Sequence, residues 1–147
     1  MNGSPPANRI LFALIAIFSV AGIVDSAISL QRHYAKSATT YCDFSQKFSC
    51  DIVNRSEYSE IVGIPVAGIG VAGYAALFVL STLRRSRTET PLSLLAVSLA
   101  GLAFALYLTY IEAYQLMTWC ILCLISLTII FLISIGAAIL KFRTSRA

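Results

Sequence analysis

Long runs of apolar residues, separated by short polar stretches, dominate the sequence. Four of these runs, at residues 10–30, 64–83, 92–111 and 121–140, have the length that crosses a bilayer, which is about 20 residues for a helix. Each run is predicted to be helical, because lipid offers backbone N–H and C=O groups no outside partner. The pattern therefore predicts an all-α integral membrane protein, a bundle of four transmembrane helices in a single domain over residues 1–147.

The composition agrees with this pattern. Hydrophobic residues make up 58% of the chain and charged residues 12%, against roughly 25% charged residues in an ordinary soluble domain. These values exclude a water-soluble, disordered or fibrous protein. The net charge of +4 is not a sign of nucleic-acid binding, because the basic residues stand at the ends of the apolar runs, where they set topology.

The basic residues orient the predicted bundle. Seven of the eleven fall on one side of the membrane, namely Arg9, Arg84, Arg85, Arg87, Lys141, Arg143 and Arg146. By the positive-inside rule both termini are expected in the cytoplasm and the long loop, residues 31–63, on the outer side. A cleaved signal peptide ending near Ala21 is the alternative, but the apolar run continues to Leu30.

The four cysteines all fall on the predicted outer side. Cys42 and Cys50 lie in the long loop, whereas Cys120 and Cys123 open the fourth span, about one helical turn apart. A thiolate is the attacking species in thiol chemistry, and a helix N-terminus stabilises negative charge. The arrangement favours an electron relay from a soluble thiol to a lipid-soluble acceptor.

Two other uses of the cysteines remain open at this point. Structural disulfides in an oxidising compartment would need the same number of cysteines, and the protein would then be a non-catalytic membrane scaffold. A four-cysteine zinc site is also conceivable, but the seven residues between Cys42 and Cys50 exceed the usual spacing, and we expect no metal.

Several motifs together resemble those of the vitamin K epoxide reductase family, in its bacterial form. They are Tyr41-Cys42-Asp43, Cys50 with Ser56 six residues on, Gly63-Ile64-Pro65-Val66-Ala67, Tyr107-Leu108-Thr109-Tyr110-Ile111-Glu112 and Trp119-Cys120-Ile121-Leu122-Cys123. The order of the cysteines separates the chain from the DsbB family, whose Cys-x-x-Cys motif belongs to the first outer loop.

The resemblance implies a four-helix bundle around a quinone, ubiquinone or menaquinone, with a short interfacial helix in the first outer loop. It implies that Cys42 exchanges with a thioredoxin-like (DsbA-like) periplasmic protein and that Cys50 passes electrons to Cys120. Cys123 would face the quinone, and Ser56 would lie near a quinone carbonyl. The expected setting is a bacterial inner membrane, where the protein would support disulfide formation in exported proteins.

Three departures from the family refine this expectation. The chain stops at Ala147 without a fused thioredoxin-like domain, so the partner is expected to be a separate protein. The resemblance also implies a monomer. Leu127 stands where the animal enzymes have a tyrosine, and no asparagine stands near the start of the second span. Quinone reduction is therefore preferred to epoxide reduction.

A few further positions have both a structural and a functional interpretation. Tyr110 and Tyr114 belong to an aromatic belt or pack against the quinone, and Ser56 caps a short amphipathic segment or binds a quinone carbonyl. Asp25 is a charge inside a span, which is a functional candidate by default, and Glu112 is interpreted as an interfacial or loop-anchoring residue. The G-x-G-x-x-G stretch at residues 68–73 is assigned to close helix packing, not to nucleotide binding.

Overall fold

Helices occupy each of the four apolar runs. The computed structural model describes residues 6–34, 60–61, 63–83, 89–117 and 120–146. In this part of the chain the helices are α1 (Pro6–Tyr34), α2 (Val66–Thr82), α3 (Thr90–Ile111) and α4 (Ile121–Arg146). A π-helical turn (Glu112–Leu116) extends α3, and two short antiparallel strands, β1 (Glu60–Ile61) and β2 (Ile64–Pro65), precede α2.

The prediction of an all-helical membrane protein is confirmed. Three of the described helices are long and apolar enough to cross a membrane, and α2 is a shorter apolar helix. It begins at Val66, two residues after the predicted start, because the chain turns at Gly63 (φ 80°) and Pro65 is extended (φ −60°, ψ 135°). The interfacial helix predicted in the long loop lies outside the described residues.

The four helices form a ring in which each packs against two neighbours. The principal contacts join α1 to α2, α2 to α3, α3 to α4 and α4 back to α1. Large apolar side chains cover the outside of the ring, among them Ile17 (63% exposed), Leu106 (53%) and Phe142 (68%). Such a surface is suited to lipid, because lipid tails are as apolar as these side chains and exposing them to lipid costs no free energy.

One end of the bundle, which we call the closed end, is filled by interlocking apolar side chains. They are Phe12, Ile15, Leu94, Ile133, Ala137 and Leu140, all buried. The buried hydroxyls nearby bond to their own helices, Ser19 to the Ile15 carbonyl at 2.7 Å and Ser134 to the Ile130 carbonyl at 2.8 Å. No hydroxyl among these needs a partner from another helix, and the closed end is held by packing.

The opposite end, which we call the cysteine end, carries Cys120 and Cys123 and contains small residues on facing helices. A side chain at Gly22 would collide with the Tyr74 ring, and a Cβ at Gly70 would stand 2.8 Å from Ser26 Oγ. These two glycines therefore let α1 and α2 approach closely, as small residues do in membrane bundles. The interpretation of the glycine-rich stretch as a packing motif agrees with the contact at Gly70.

Candidate functional site

A tight loop brings the start of α4 back against the end of α3. Met117 takes up a left-handed backbone conformation (φ 51°, ψ 31°) and donates its N–H to the Glu112 carbonyl. The Glu112 side chain then accepts the backbone N–H of Cys120 at Oε2, over 3.0 Å. Glu112 thus fixes both ends of the reversal, which agrees with its interpretation as a loop-anchoring residue.

The two cysteines of the Cys-x-x-Cys motif share the N-terminus of α4. Cys120 precedes the first helical residue, and its carbonyl accepts the Leu124 N–H at 3.0 Å. Its sulfur accepts the Cys123 N–H at 3.3 Å. Cys120 therefore occupies the N-cap position, where a serine or aspartate side chain usually satisfies that N–H, and the helix end stabilises charge on its sulfur.

The cysteines differ in their surroundings. Cys120 is fully buried, in a small apolar cluster with Leu122 and Ile28, whereas Cys123 is partly exposed and carries a free thiol. Cys123 forms part of the wall of a cavity of about 330 Å³. Of the two sulfur atoms, the one on Cys123 is thus placed to meet a molecule inside the bundle.

The cavity lies among all four helices at the cysteine end. Its apolar walls come mainly from α2 and α3, including Ile69, Leu77, Val97, Phe104 and Leu108. Gly73 and Gly101 also line it, and a Cβ at Gly73 would meet no atom within 4 Å. Small residues at these positions leave space that larger side chains fill at the closed end.

A few polar groups interrupt the apolar lining. The Tyr74 hydroxyl lies 2.9 Å from the Ser126 carbonyl and 2.8 Å from its hydroxyl, joining α2 to α4 one turn below Cys123. Asp25, Ser26 and Ser29 line the cavity from α1. The charge noted in the first span therefore lines this cavity. An apolar cavity with a few polar groups is typical of ligand sites.

The predicted site residues fall into three groups. Cys120 and Cys123 are brought together, as their spacing indicates. Cys42, Cys50 and Ser56 lie outside the described residues. Tyr110 and Tyr114 are exposed (54% and 69%) with ring centroids 4.9 Å apart, and neither lines the cavity, so a contact with the quinone stays a prediction.

Sequence reasoning missed two of the polar groups in the cavity. Ser126 stands three residues after Cys123, so helical periodicity alone puts both on one face. Tyr74 is the aromatic hydroxyl in the middle of an otherwise apolar span, and its partner on α4 depends on how the helices pack. The first signal was available in the sequence, but the second depends on the tertiary structure.

The fold and the cysteine site together indicate a class of protein, and comparison with known proteins gives its family. A membrane-embedded helical bundle with a Cys-x-x-Cys pair beside an internal cavity is the architecture of a membrane thiol oxidoreductase. The model of the vitamin K epoxide reductase family matches residues 13–138, and the chain belongs to this family. A search of curated proteins finds no significant match.

Proposed function

We propose that the protein is a quinone-dependent thiol oxidoreductase, which passes electrons from a thioredoxin-like partner to a quinone in the membrane. The observation that carries the proposal is the position of Cys123, in the wall of a cavity of about 330 Å³ and next to Cys120. Family membership supports thiol oxidation in general, and the cavity supports a small lipid-soluble acceptor.

The character of the cavity fits a quinone head group. Ligand sites range from about 300 to 1,000 Å³ and are apolar with few polar groups. A quinone is a flat apolar ring with two carbonyls, and it accepts two electrons and two protons. The hydroxyls of Tyr74 and Ser126 are the groups that would donate to a carbonyl, since either can redirect its hydrogen from the bond between them.

The cysteine pair supplies the electrons in this proposal. A reduced Cys120–Cys123 pair gives up two electrons and two protons as its disulfide forms. The Cys120 sulfur, held at the α4 N-terminus by the Cys123 N–H, is the atom that an incoming thiol attacks when the pair is reduced again. Cys123, in the cavity wall, is the atom that faces the acceptor.

The remaining steps extend the proposal beyond the described residues. Cys42 takes electrons from a separate DsbA-like protein and Cys50 hands them to Cys120, as the resemblance implies. The setting is a bacterial inner membrane with both termini in the cytoplasm and the cysteines outside. The net product is an oxidised partner able to insert disulfides into exported proteins.

The test is an anaerobic assay with purified protein, a reduced thioredoxin-like dithiol protein and a soluble quinone analogue. We expect quinone absorbance to fall with the wild type and to stay constant with Cys120→Ala or Cys123→Ala. Cys42→Ala should stop the reaction with the protein dithiol and spare it with a small dithiol, because only the protein partner needs the loop.

The outcome against the proposal is equally clear. Quinone reduction that continues in Cys123→Ala would contradict the role of the cavity cysteine. No quinone reduction in any variant, with cysteine bridges that persist in mild reductant, would support the alternative of a non-catalytic scaffold with structural disulfides.

A further inference from the structure

Glu112 is a carboxyl buried beside the cysteine pair, and its anchoring role does not explain its charge. The residue is 1% exposed, and one oxygen accepts the Cys120 N–H. Burying a carboxyl away from water is costly unless its partners compensate. A neutral glutamine would accept the same N–H without that cost, so a loop anchor alone does not require a carboxyl.

The second oxygen of the Glu112 carboxyl, Oε1, is buried and has no hydrogen-bond partner among the residues that the structure describes. The carboxyl is also close enough to the Cys123 thiol for the two side chains to interact. A buried carboxyl with spare hydrogen-bonding capacity on one oxygen therefore lies near a thiol that has to exchange a proton.

The two cysteines differ in how far backbone N–H groups stabilise charge on their sulfur atoms. Cys120 accepts an N–H at its sulfur and sits at the positive end of the α4 dipole. Among the residues that the structure describes, no backbone N–H is bonded to the Cys123 sulfur, and the Cys123 N–H is already directed to Cys120. The helix therefore stabilises a negative charge on the Cys123 sulfur less than one on the Cys120 sulfur. A neighbouring proton donor or acceptor has its largest effect on Cys123.

We propose that Glu112 is the acid–base group of Cys123, an inference that rests on the thiol oxidoreductase function above. When a thiolate attacks Cys120, the Cys120–Cys123 bond breaks and its electron pair leaves on Cys123, which takes a proton from Glu112. When the quinone oxidises the pair, the Cys123 thiol returns a proton to Glu112 and the disulfide forms. Two electrons pass to the quinone, and Glu112 ends the cycle protonated, as it began. The two protons of the quinol come from the Cys120 thiol and from water, which received the protons of the attacking thiols.

The neighbouring groups limit the alternatives. The titratable side chains that face the cavity from the packed helices are Asp25 on α1 and Tyr74 on α2. Both line the cavity, whereas Glu112, the first residue after α3, is not among the lining residues and is bonded to Cys120. Removing the Glu112 charge therefore leaves these other groups unchanged, and an effect on Cys123 is attributable to Glu112.

The experiment measures how fast Cys123 reacts with N-ethylmaleimide in reduced, quinone-free protein, followed residue by residue with mass spectrometry. Glu112→Gln keeps an oxygen for the Cys120 N–H and removes the proton-accepting group. We expect Cys123 alkylation near neutral pH to become a few-fold faster, because a neutral glutamine does not disfavour the Cys123 thiolate as a neighbouring carboxylate does. The rate should then rise with pH as for an unassisted thiol, while Cys120 alkylation and the unfolding temperature stay near wild type.

The controls separate proton transfer from structure. Glu89→Gln removes an exposed carboxyl at the other end of α3 and should leave the Cys123 rate unchanged. Glu112→Leu should also lower the unfolding temperature, because it leaves the Cys120 N–H unsatisfied. A Glu112→Gln protein with the wild-type rate and pH profile at Cys123 would overturn the inference and leave Glu112 as a loop anchor. Because no quinone is present, this result is independent of the quinone assay.

Discussion

At the closed end of the bundle, large side chains such as Leu94 and Ile133 are fully buried and fill the space between helices. At the cysteine end, glycines at positions 73 and 101 leave a cavity, and three buried polar residues of α1, Asp25, Ser26 and Ser29, line it. Both ends are formed by the same long apolar helices, so the hydropathy of a helix does not tell them apart. The difference lies in side-chain volume: large residues favour stability, and small ones leave room for a ligand.

The largest effect is expected when the cavity cysteine is changed without altering its size. Cys123→Ser should abolish quinone reduction, because a hydroxyl forms no disulfide, and should leave the unfolding temperature close to that of wild type. The quinone assay and thermal unfolding in detergent measure the two effects. An equally strong loss of stability would mean that Cys123 supports packing as well as chemistry.

A substitution at the closed end is expected to lower stability and to leave quinone turnover nearly unchanged. Leu94→Ala should lower the free energy of unfolding by about 2–5 kcal/mol, the range for a large side chain removed from a packed core. Protein that remains folded should reduce quinone at nearly the wild-type rate. A specific loss of quinone turnover at low temperature would contradict the separation of the two ends.

The cavity can be filled without disturbing its surroundings. Gly73→Leu places a side chain in the open space that Gly73 borders, and we expect at least about a tenfold loss of quinone turnover, equivalent to about 1.4 kcal/mol. Gly68→Leu is the matched control, since a Cβ there also meets nothing within 4 Å but Gly68 does not line the cavity. Equal losses in both variants would show that the helix itself, not the cavity, is sensitive.

Removing the hydrogen bonds between Tyr74 on α2 and Ser126 on α4 should have a smaller effect on stability and quinone turnover. Tyr74→Phe removes the bonds to Ser126 and should cost about 0.5–1 kcal/mol of stability, as is typical of hydrogen bonds between membrane helices. The Michaelis constant for quinone should rise as well, because a donor near the ring is lost. Ser126→Ala offers the complementary measurement, and a change in stability without a change in quinone affinity would place the bridge outside the site.

The smallest effect is expected at the exposed tyrosine pair. Replacing Tyr110 and Tyr114 with leucine should weaken turnover of a long-tailed quinone by a few-fold, about 1 kcal/mol or less. A tail-less analogue should be unaffected, since neither ring lines the cavity. Equal effects on both quinones would place the tyrosines nearer to the ring than the structure does.

The general architecture of the protein was predictable from sequence, because bilayer length and the satisfaction of backbone groups allow few alternatives. The proximity of Cys120 and Cys123 at the start of α4 was also predictable, since one helical turn separates them. The cavity was not, because its volume depends on which face of each helix Gly73 and Gly101 occupy. The burial of Glu112 against Cys120 depends on the reversal at Met117, whose left-handed backbone has no clear sequence signal.

The most direct test of the account is a single turnover of the reduced protein with one equivalent of a soluble quinone analogue, without any partner. We expect one quinol for each Cys120–Cys123 disulfide that mass spectrometry detects, and a much slower reaction in Gly73→Leu than in Gly68→Leu. Disulfide formation without quinol, or quinol formation at the wild-type rate in Gly73→Leu, would contradict electron transfer from Cys123 to a molecule in the cavity.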